Sequence, residues 1–305
     1  MVDLHVHSNC SDGTYDPGRL PQLAQTLGLA GIALTDHDTT IGNDEFLAAA
    51  RALGMPAVAG VEISAEYTNP DSQRADDGEM HILGYFPRWD ATTPASLTPL
   101  ATMRDNRHVR NPLILERLRA LGVAISYDDV CRHAACDVVG RPHIAAVLLH
   151  KGYVKSIQEA FDRYIGDHAP AYVPKRILPQ RTAIEMIVHA GGVAVLAHPR
   201  TLRVKSMPTL ATLLAPLCAY GLAGIEVYYA AHTAHESEQY CALAARLGLL
   251  ITGGSDFHGA HKPELKLGCG FGNLCVPDEC FTTIMHYQQR PQALNPDEYP
   301  ISNKE

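Results

Sequence analysis

The chain has 305 residues, 46% hydrophobic and 19% charged, with a net charge of −8. This is material for a large core in one α/β domain, or in one domain carrying an insertion. Eight cysteines without a C-x-x-C pair exclude a cysteine zinc site and speak against a disulfide framework, and no apolar run approaches the roughly 18 to 20 residues of a membrane span. No secretory leader pattern precedes the first motif, so a soluble, reduced, cytoplasmic protein is expected.

In chain order, seven short runs rich in Val, Ile, Leu and Ala read as buried strands: 1–8, 31–38, 57–64, 80–86, 193–199, 224–229 and 249–256. Helical patterns follow several of them, at 17–27, 43–53, 180–190 and 234–247. This alternation excludes an all-β fold and predicts a parallel sheet, and seven such units suit a barrel better than an open sheet. From about residue 97 to 181 the alternation breaks into helical patterns at 102–121, 143–151 and 156–164, then the extended segment 170–175. The expected organisation is therefore an α/β barrel built from 1–98 and 182–285. A mainly helical subdomain, 99–181, is inserted between strands four and five, and a tail, 286–305, ends in poorly ordered residues. The polar stretch 69–78 reads as an exposed loop.

Charge is divided unevenly. Residues 99–190 hold 13 Lys/Arg and 9 Asp/Glu, while the rest of the chain is strongly acidic. This suits an acidic part that gathers divalent cations and a basic part that holds an anionic substrate.

The chemistry collects at strand ends, where a barrel carries its active-site loops. Asp3, His5 and His7 alternate along the first strand and share one face, with successive Cα atoms about 6.6 Å apart. A lone H-x-H carries little weight. Strand two, however, ends in Thr35-Asp36-His37-Asp38, strand three in Glu62 and strand five in His198; strand four begins near His81, and strand seven runs into Asp256 and His258. So many ionisable groups in one location are not explained as isolated core histidines. Imidazole and carboxylate without thiolate suit Mn²⁺, Zn²⁺ or Fe²⁺, and about nine ligands at three or four per ion point to two or three ions. Glu62 can bridge two of them, and clustered cations are most useful against an anionic phosphate ester.

The motifs DLHVHS, TDHD, GVEIS, HILGY, AHP and GGSDFH resemble, in order, those of the PHP (polymerase and histidinol phosphatase) family of metal-dependent phosphoesterases. The resemblance implies a distorted seven-stranded (βα)7 barrel of PHP type and a site of up to three ions, with Mn²⁺ the first choice. It implies His5, His7, Glu62 and Asp256 around one ion, Glu62, His81 and His198 around a second, and Asp12, His37 and His258 around a third. Asp12 stands where one subfamily often has a further His. The segments 140–145 and 171–175 are similar to those of family members that act as 3',5'-nucleotide bisphosphate phosphatases or as 5'-to-3' exoribonucleases.

The expected substrate is a small nucleotide, with short RNA as the alternative and neither a membrane nor an obligate protein partner. Arg104, Arg107, Arg141, Lys175 and Arg200 are the candidate phosphate contacts, supported by Asp12 and His37 from the metal cluster. His143 is a weaker candidate for substrate contact. Asp38 and His232 are the candidates for protonating the leaving group. An amidohydrolase acting on a C–N bond is the competing enzyme class, because H-x-H on a first barrel strand occurs there too; the Glu62 and His81 pair argues against it.

Overall fold

The seven apolar runs do form strands: β1 (Val2–Asp3), β2 (Gly31–Leu34), β3 (Ala57–Glu66), β4 (Glu79–Phe86), β5 (Val193–Leu196), β6 (Leu222–Tyr229) and β7 (Leu250–Gly254). They were located in a computed structural model, which describes residues 1–71, 79–90, 92–134, 139–175 and 177–288, with the backbone alone at 101–108, 133 and 134. The strands join in sequence order in one seven-stranded sheet. Its two edges meet where the Leu4 N–H donates to the Gly253 carbonyl (3.1 Å), the Asp256 N–H to that of His5 (2.9 Å), and the His7 N–H to that of Phe257 (3.0 Å). The sheet is thus a nearly closed barrel, the α/β class expected.

One feature of the expected sheet is corrected. β1, β2 and β3 are parallel, as are β5, β6 and β7, but β4 is antiparallel to both β3 and β5. Among the described residues no helix lies between β3 and β4, and a parallel return needs a crossover of a dozen or more residues, usually through a helix. Reversal has a functional consequence. His81, near the start of β4, pairs in register with Ser64 near the end of β3, so it arrives at the same rim as the other strand ends.

Side chains alternate across the barrel wall. Val58, Leu83, Tyr85, Val193 and Val195 pack with Val276, Cys280 and Ile284, the last two from α11 (Asp278–Met285). This apolar plug fills the end of the barrel opposite Glu62 and His81. The other wall face carries Val61, Ile63, Ile82, Leu196 and Ile225. These meet Ile184 and Ile187 of α8 (Gln180–His189) and Leu210, Leu214 and Leu217 of α9 (Met207–Tyr220). Each fully buried Leu or Ile contributes about 1.5–3 kcal/mol. Helices α1 (Leu20–Thr26), α2 (Asn43–Leu53) and α10 (Ala234–Leu247) complete the outer layer.

The interval between β4 and α8 is helical. It holds α3 (Thr93–Ser96), α4 (Thr98–Ala120), α5 (Tyr127–Ala134), α6 (Arg141–His150), α7 (Ile157–Ala160) and a π-helical turn over Phe161–Ile165. Ile114, Leu118, Val130, Ile144, Leu148, Ile165 and Val173 gather there around a core of their own. The chain then returns to the barrel beside β3, where the Glu66 N–H donates to the Leu178 carbonyl at 2.8 Å. That docking sets Lys175 close to the barrel rim. The tail 289–305 and most of the polar stretch 69–78 lie outside the described residues. Among the described residues, no helix is long and apolar enough to cross a membrane.

Candidate metal centre

The sequence builds the rim with a repeated device. Asp3 accepts the Ser255 N–H (2.8 Å) and hydroxyl (2.6 Å), Asp36 accepts the same pair from Ser8 (2.8 and 2.6 Å), and Asp38 accepts those of Ser64 (2.8 and 3.4 Å). Each pair ties the end of one strand to the end of its neighbour. These buried, charge-assisted bonds hold the loops that carry Asp256 and Asp12 and the strand that carries Glu62. Three residues at the rim, Asp38 (φ 55), His198 (φ 24) and Asp256 (φ 59), have backbones in the left-handed region. Strain of this kind persists only where the surroundings over-determine it.

Glu62 lies at the centre, fully buried at the end of β3. Its Oε1 is 2.8 Å from His81 Nδ1 and 2.9 Å from His198 Nε2. Its Oε2 is 3.0 Å from His37 Nδ1 and 3.2 Å from both His5 Nε2 and His7 Nε2. Asp256 Oδ1 adds a contact of 3.2 Å to His7 Nε2 and one of 3.7 Å to His5 Nε2. On the far side of His7, Asp12 is 3.2 Å from His258 Nε2 and 3.9 Å from both His7 Nδ1 and His37 Nε2.

Three groups of ligand atoms result, each within 4.8 Å of one another: His5, His7, Glu62 and Asp256; His37, Glu62 and His81; and His7, Asp12, His37 and His258. All nine residues expected to bind metal therefore meet in one place. The groups differ from the expected sets in detail. His37 stands between the second and third groups and His7 between the first and third, while His198 reaches the second through Glu62 Oε1.

Several rings have their tautomer set by outer partners. His5 Nδ1 faces a Glu226 carboxylate oxygen at 2.9 Å, and His258 Nδ1 faces the Asp256 carbonyl at 2.7 Å. Acceptors of this kind require N–H at Nδ1, which leaves the Nε2 lone pair turned inward. His198 follows the same logic: the Thr201 hydroxyl donates to the His198 carbonyl (2.9 Å) and so accepts from Nδ1 (3.0 Å). His5 Nε2, both nitrogens of His7, His37 Nδ1 and Glu62 Oε2 are buried without a hydrogen bond. Five ligand-type atoms left so, and aimed at one another, fit bound divalent ions.

The electrostatics agree. Burial alone would raise the carboxyls of Glu62, Asp12 and Asp256, yet all three are held well below the ordinary range. The histidines around them, and Lys262 beside Asp256, outweigh burial. Burial pushes His7 down, but the neighbouring carboxylates of Asp256 and Glu62 bring it up to about 9. At His37 burial wins and takes the ring to about 3.

The expected substrate contacts are distributed differently. Lys175 Nζ pairs with Asp38 Oδ2 at 2.7 Å, contacts Ser64, and lies 3.4 Å from Glu79. A cation from the helical insertion thus stands at the edge of the metal cluster. Arg141 approaches the same Glu79 at 4.0 Å and is held by Asp167 (2.8 Å), with its guanidinium over the rings of Tyr172 and Phe161. Arg200 is instead paired with Glu236, in the capping box of α10, on a half-exposed surface. The side chains of Arg104 and Arg107 lie outside the described residues. His143 accepts the Gly140 N–H and stacks edge-on against His261, which bonds the Asp12 carbonyl.

Asp38 and His232, the expected proton donors, each have partners within the protein. The Asp38 carboxylate is occupied by Lys175 and Ser64. His232 places its Nδ1 hydrogen on the Val227 carbonyl (2.8 Å), and burial lowers its pKa, so the ring is neutral with no proton on Nε2. Sequence reasoning also missed Glu226, Tyr229 and Lys262. The Tyr229 hydroxyl and Lys262 ammonium both donate to Asp256 Oδ2, at 3.3 and 2.9 Å. The one available signal was a glutamate inside the apolar run of strand six.

Residues 3–166 match the PHP domain family. The chain is similar to the 3',5'-nucleoside bisphosphate phosphatase of Chromobacterium violaceum, 34% identical over 260 residues covering 84% of this chain and 87% of the relative. It is also similar to the 5'-3' exoribonuclease Rnm of Escherichia coli, 33% identical over 272 residues, 88% of each chain. A solved structure of a metal-dependent phosphoesterase from Bifidobacterium adolescentis superposes with a TM-score of 0.79 at 32% identity, covering 93% of this chain and 95% of that one. A nearly closed seven-stranded barrel with eight residues at one rim grouped as a metal site would need, joined to these likenesses, makes the chain a member of the PHP domain family of metal-dependent phosphoesterases.

Proposed function

We propose that the protein hydrolyses the 3'-phosphate of nucleoside 3',5'-bisphosphates, releasing a nucleoside 5'-phosphate and inorganic phosphate. The observation that carries this reading is Lys175, delivered by the insertion to the edge of the metal cluster, with Arg141 approaching the same Glu79. One anionic group is served by the cluster, and these cations suit a second one. A 3',5'-bisphosphate has that pair of groups. The relative from C. violaceum carries the same activity in its name.

Mn²⁺ is the ion assigned to the nitrogen and oxygen donors. Bound divalent ions lower the pKa of a coordinated water and offset charge on phosphoryl oxygens. The chain's own residues supply the rest. Glu62 and Asp256 fix the imidazoles around one point, and the outer hydrogen bonds of His5, His198 and His258 hold their lone pairs inward. Lys175 and Arg141 orient the substrate's second phosphate, Lys175 as a point charge and Arg141 as a planar fork. Burial of the cluster keeps these groups in a low-dielectric setting, where aimed charges stabilise a developing charge most.

A second reading, removal of nucleotides from the 5' end of short RNA, is favoured by the likeness to the E. coli enzyme. Both substrates present a 5'-phosphate beside the bond that is cut. Steady-state rates with Mn²⁺ on adenosine 3',5'-bisphosphate, adenosine 3'-monophosphate, AMP and a 5'-phosphorylated dinucleotide separate the readings. The expected order has the bisphosphate first in kcat/KM. Turnover of the dinucleotide without turnover of the bisphosphate would overturn the proposal in favour of the exoribonuclease.

A further inference from the structure

Glu226 is fully buried on β6, and none of the three ligand groups includes it. Its two carboxylate oxygens reach two different parts of the cluster. Oε1 is 2.9 Å from His5 Nδ1, and Oε2 accepts the backbone N–H of His198 at 2.7 Å. His198 is the rim residue with φ of 24°, and its Nε2 stands 2.9 Å from Glu62. The β6–β7 register shifts just after Glu226, between it and Tyr228, so the strand is irregular where this side chain is presented.

We propose that Glu226 is a positioning residue that assembles two metal positions at once. It fixes the Nδ1–H tautomer of His5 for the first group and holds the strained His198 backbone for the second. A carboxylate has only acceptors, so both of its partners must donate. In the neutral ring that binds metal, His5 then has no proton on Nε2, the buried atom that faces Glu62 and Asp256 without a hydrogen bond. Outer carboxylates of this kind set ligand orientation and basicity. The role holds whichever phosphate ester is cleaved.

Glu226→Gln tests it, because the amide keeps the shape and volume of the acid but has one acceptor and one donor. If its oxygen serves the His198 N–H, the NH₂ group faces His5 Nδ1 and drives the proton to Nε2, which then cannot ligate. If the oxygen serves His5, the NH₂ group opposes the His198 N–H and the rim shifts. In either orientation one metal position loses a ligand. The expected result is Mn²⁺ binding about 10- to 100-fold weaker than wild type, read by equilibrium dialysis with elemental analysis, in protein whose metal-stripped unfolding midpoint stays within a few degrees of wild type. Unchanged affinity and stoichiometry in folded E226Q would overturn the assignment. Should E226Q fail to fold, the wild type decides. In Zn²⁺-loaded protein carrying ¹⁵N-labelled histidine, His5 is expected to show its proton on Nδ1, and a proton on Nε2 sinks the proposal.

Discussion

At the residue scale, close approach matters as much as charge. Gly254 ends β7 against the start of the first metal motif, and a Cβ there would stand 2.3 Å from both the backbone nitrogen and the Cβ of His5. Neither atom is the far end of a flexible side chain, so the β1–β7 seam itself would have to move. Gly254→Ala is therefore expected to cost about 1–3 kcal/mol, as overpacking of a tight site does, and to weaken Mn²⁺ binding by displacing His5. Gly54 is the control. It has φ of 63° and nothing within 4 Å of an added Cβ, so Gly54→Ala strains only the backbone, costing about 1 kcal/mol or slightly more, and leaves metal content alone. Chemical unfolding and metal analysis on both variants check this; equal loss of metal in the two would show that distance to His5 is not the cause.

At the scale of elements, the insertion brings Lys175 to the edge of the cluster. Lys175 holds Glu79 down at about 2, against a burial that would raise it, and it also pairs with buried Asp38. Lys175→Ala is expected to lower kcat/KM for adenosine 3',5'-bisphosphate about tenfold, roughly 1.4 kcal/mol, with little change for adenosine 3'-monophosphate, which lacks the 5'-phosphate. Equal losses on both substrates would assign Lys175 to the fold rather than to the second phosphate. The same elements show what the sequence reveals and what it hides. Period-two spacing of Asp3, His5 and His7, and the recurrence of His and carboxylate at later strand ends, made the barrel and eight of the nine cluster residues legible, because strand faces and ends are local properties; Asp12, on a loop, came only from the family resemblance. The direction of β4 was not legible from its apolar run, which reads equally well either way. Only the lack of a helical pattern between residues 64 and 80 carried that information. The pairing of Asp38 was not legible because its partner, Lys175, comes from the far end of the insertion. Glu226 was missed because its task is defined by His5 and His198, on two other segments.

At the scale of the molecule, the acidic barrel concentrates its ionisable groups where protons and metal ions compete for the same nitrogens. His7 is raised to about 9, and His5 and His81 are raised as well; in each, burial is outweighed by the carboxylate of Glu62, for His7 together with that of Asp256. His37 is lowered to about 3 by burial, and Asp12, Glu62 and Asp256 are held below their ordinary range. The signs then follow from linkage. A lowered group gives stability that is lost as pH falls, so His37 makes metal-stripped protein less stable below about pH 6.5, and the carboxylates add to this below about pH 4. A raised group gives stability that is lost as pH rises through its folded value, so His7 makes it less stable from about 6.5 toward 9, and His5 and His81 act in the same direction. Stripped protein should be most stable near pH 6.5. Mn²⁺ reverses the upper limb, because binding requires His7 to give up its proton and therefore strengthens as pH rises toward 9. The gap in unfolding midpoint between Mn²⁺-loaded and chelator-treated protein is expected to widen steadily from pH 6.5 to 9 in differential scanning calorimetry. A gap that stays constant or narrows over that range would mean that the histidines around Glu62 are not where the metal binds.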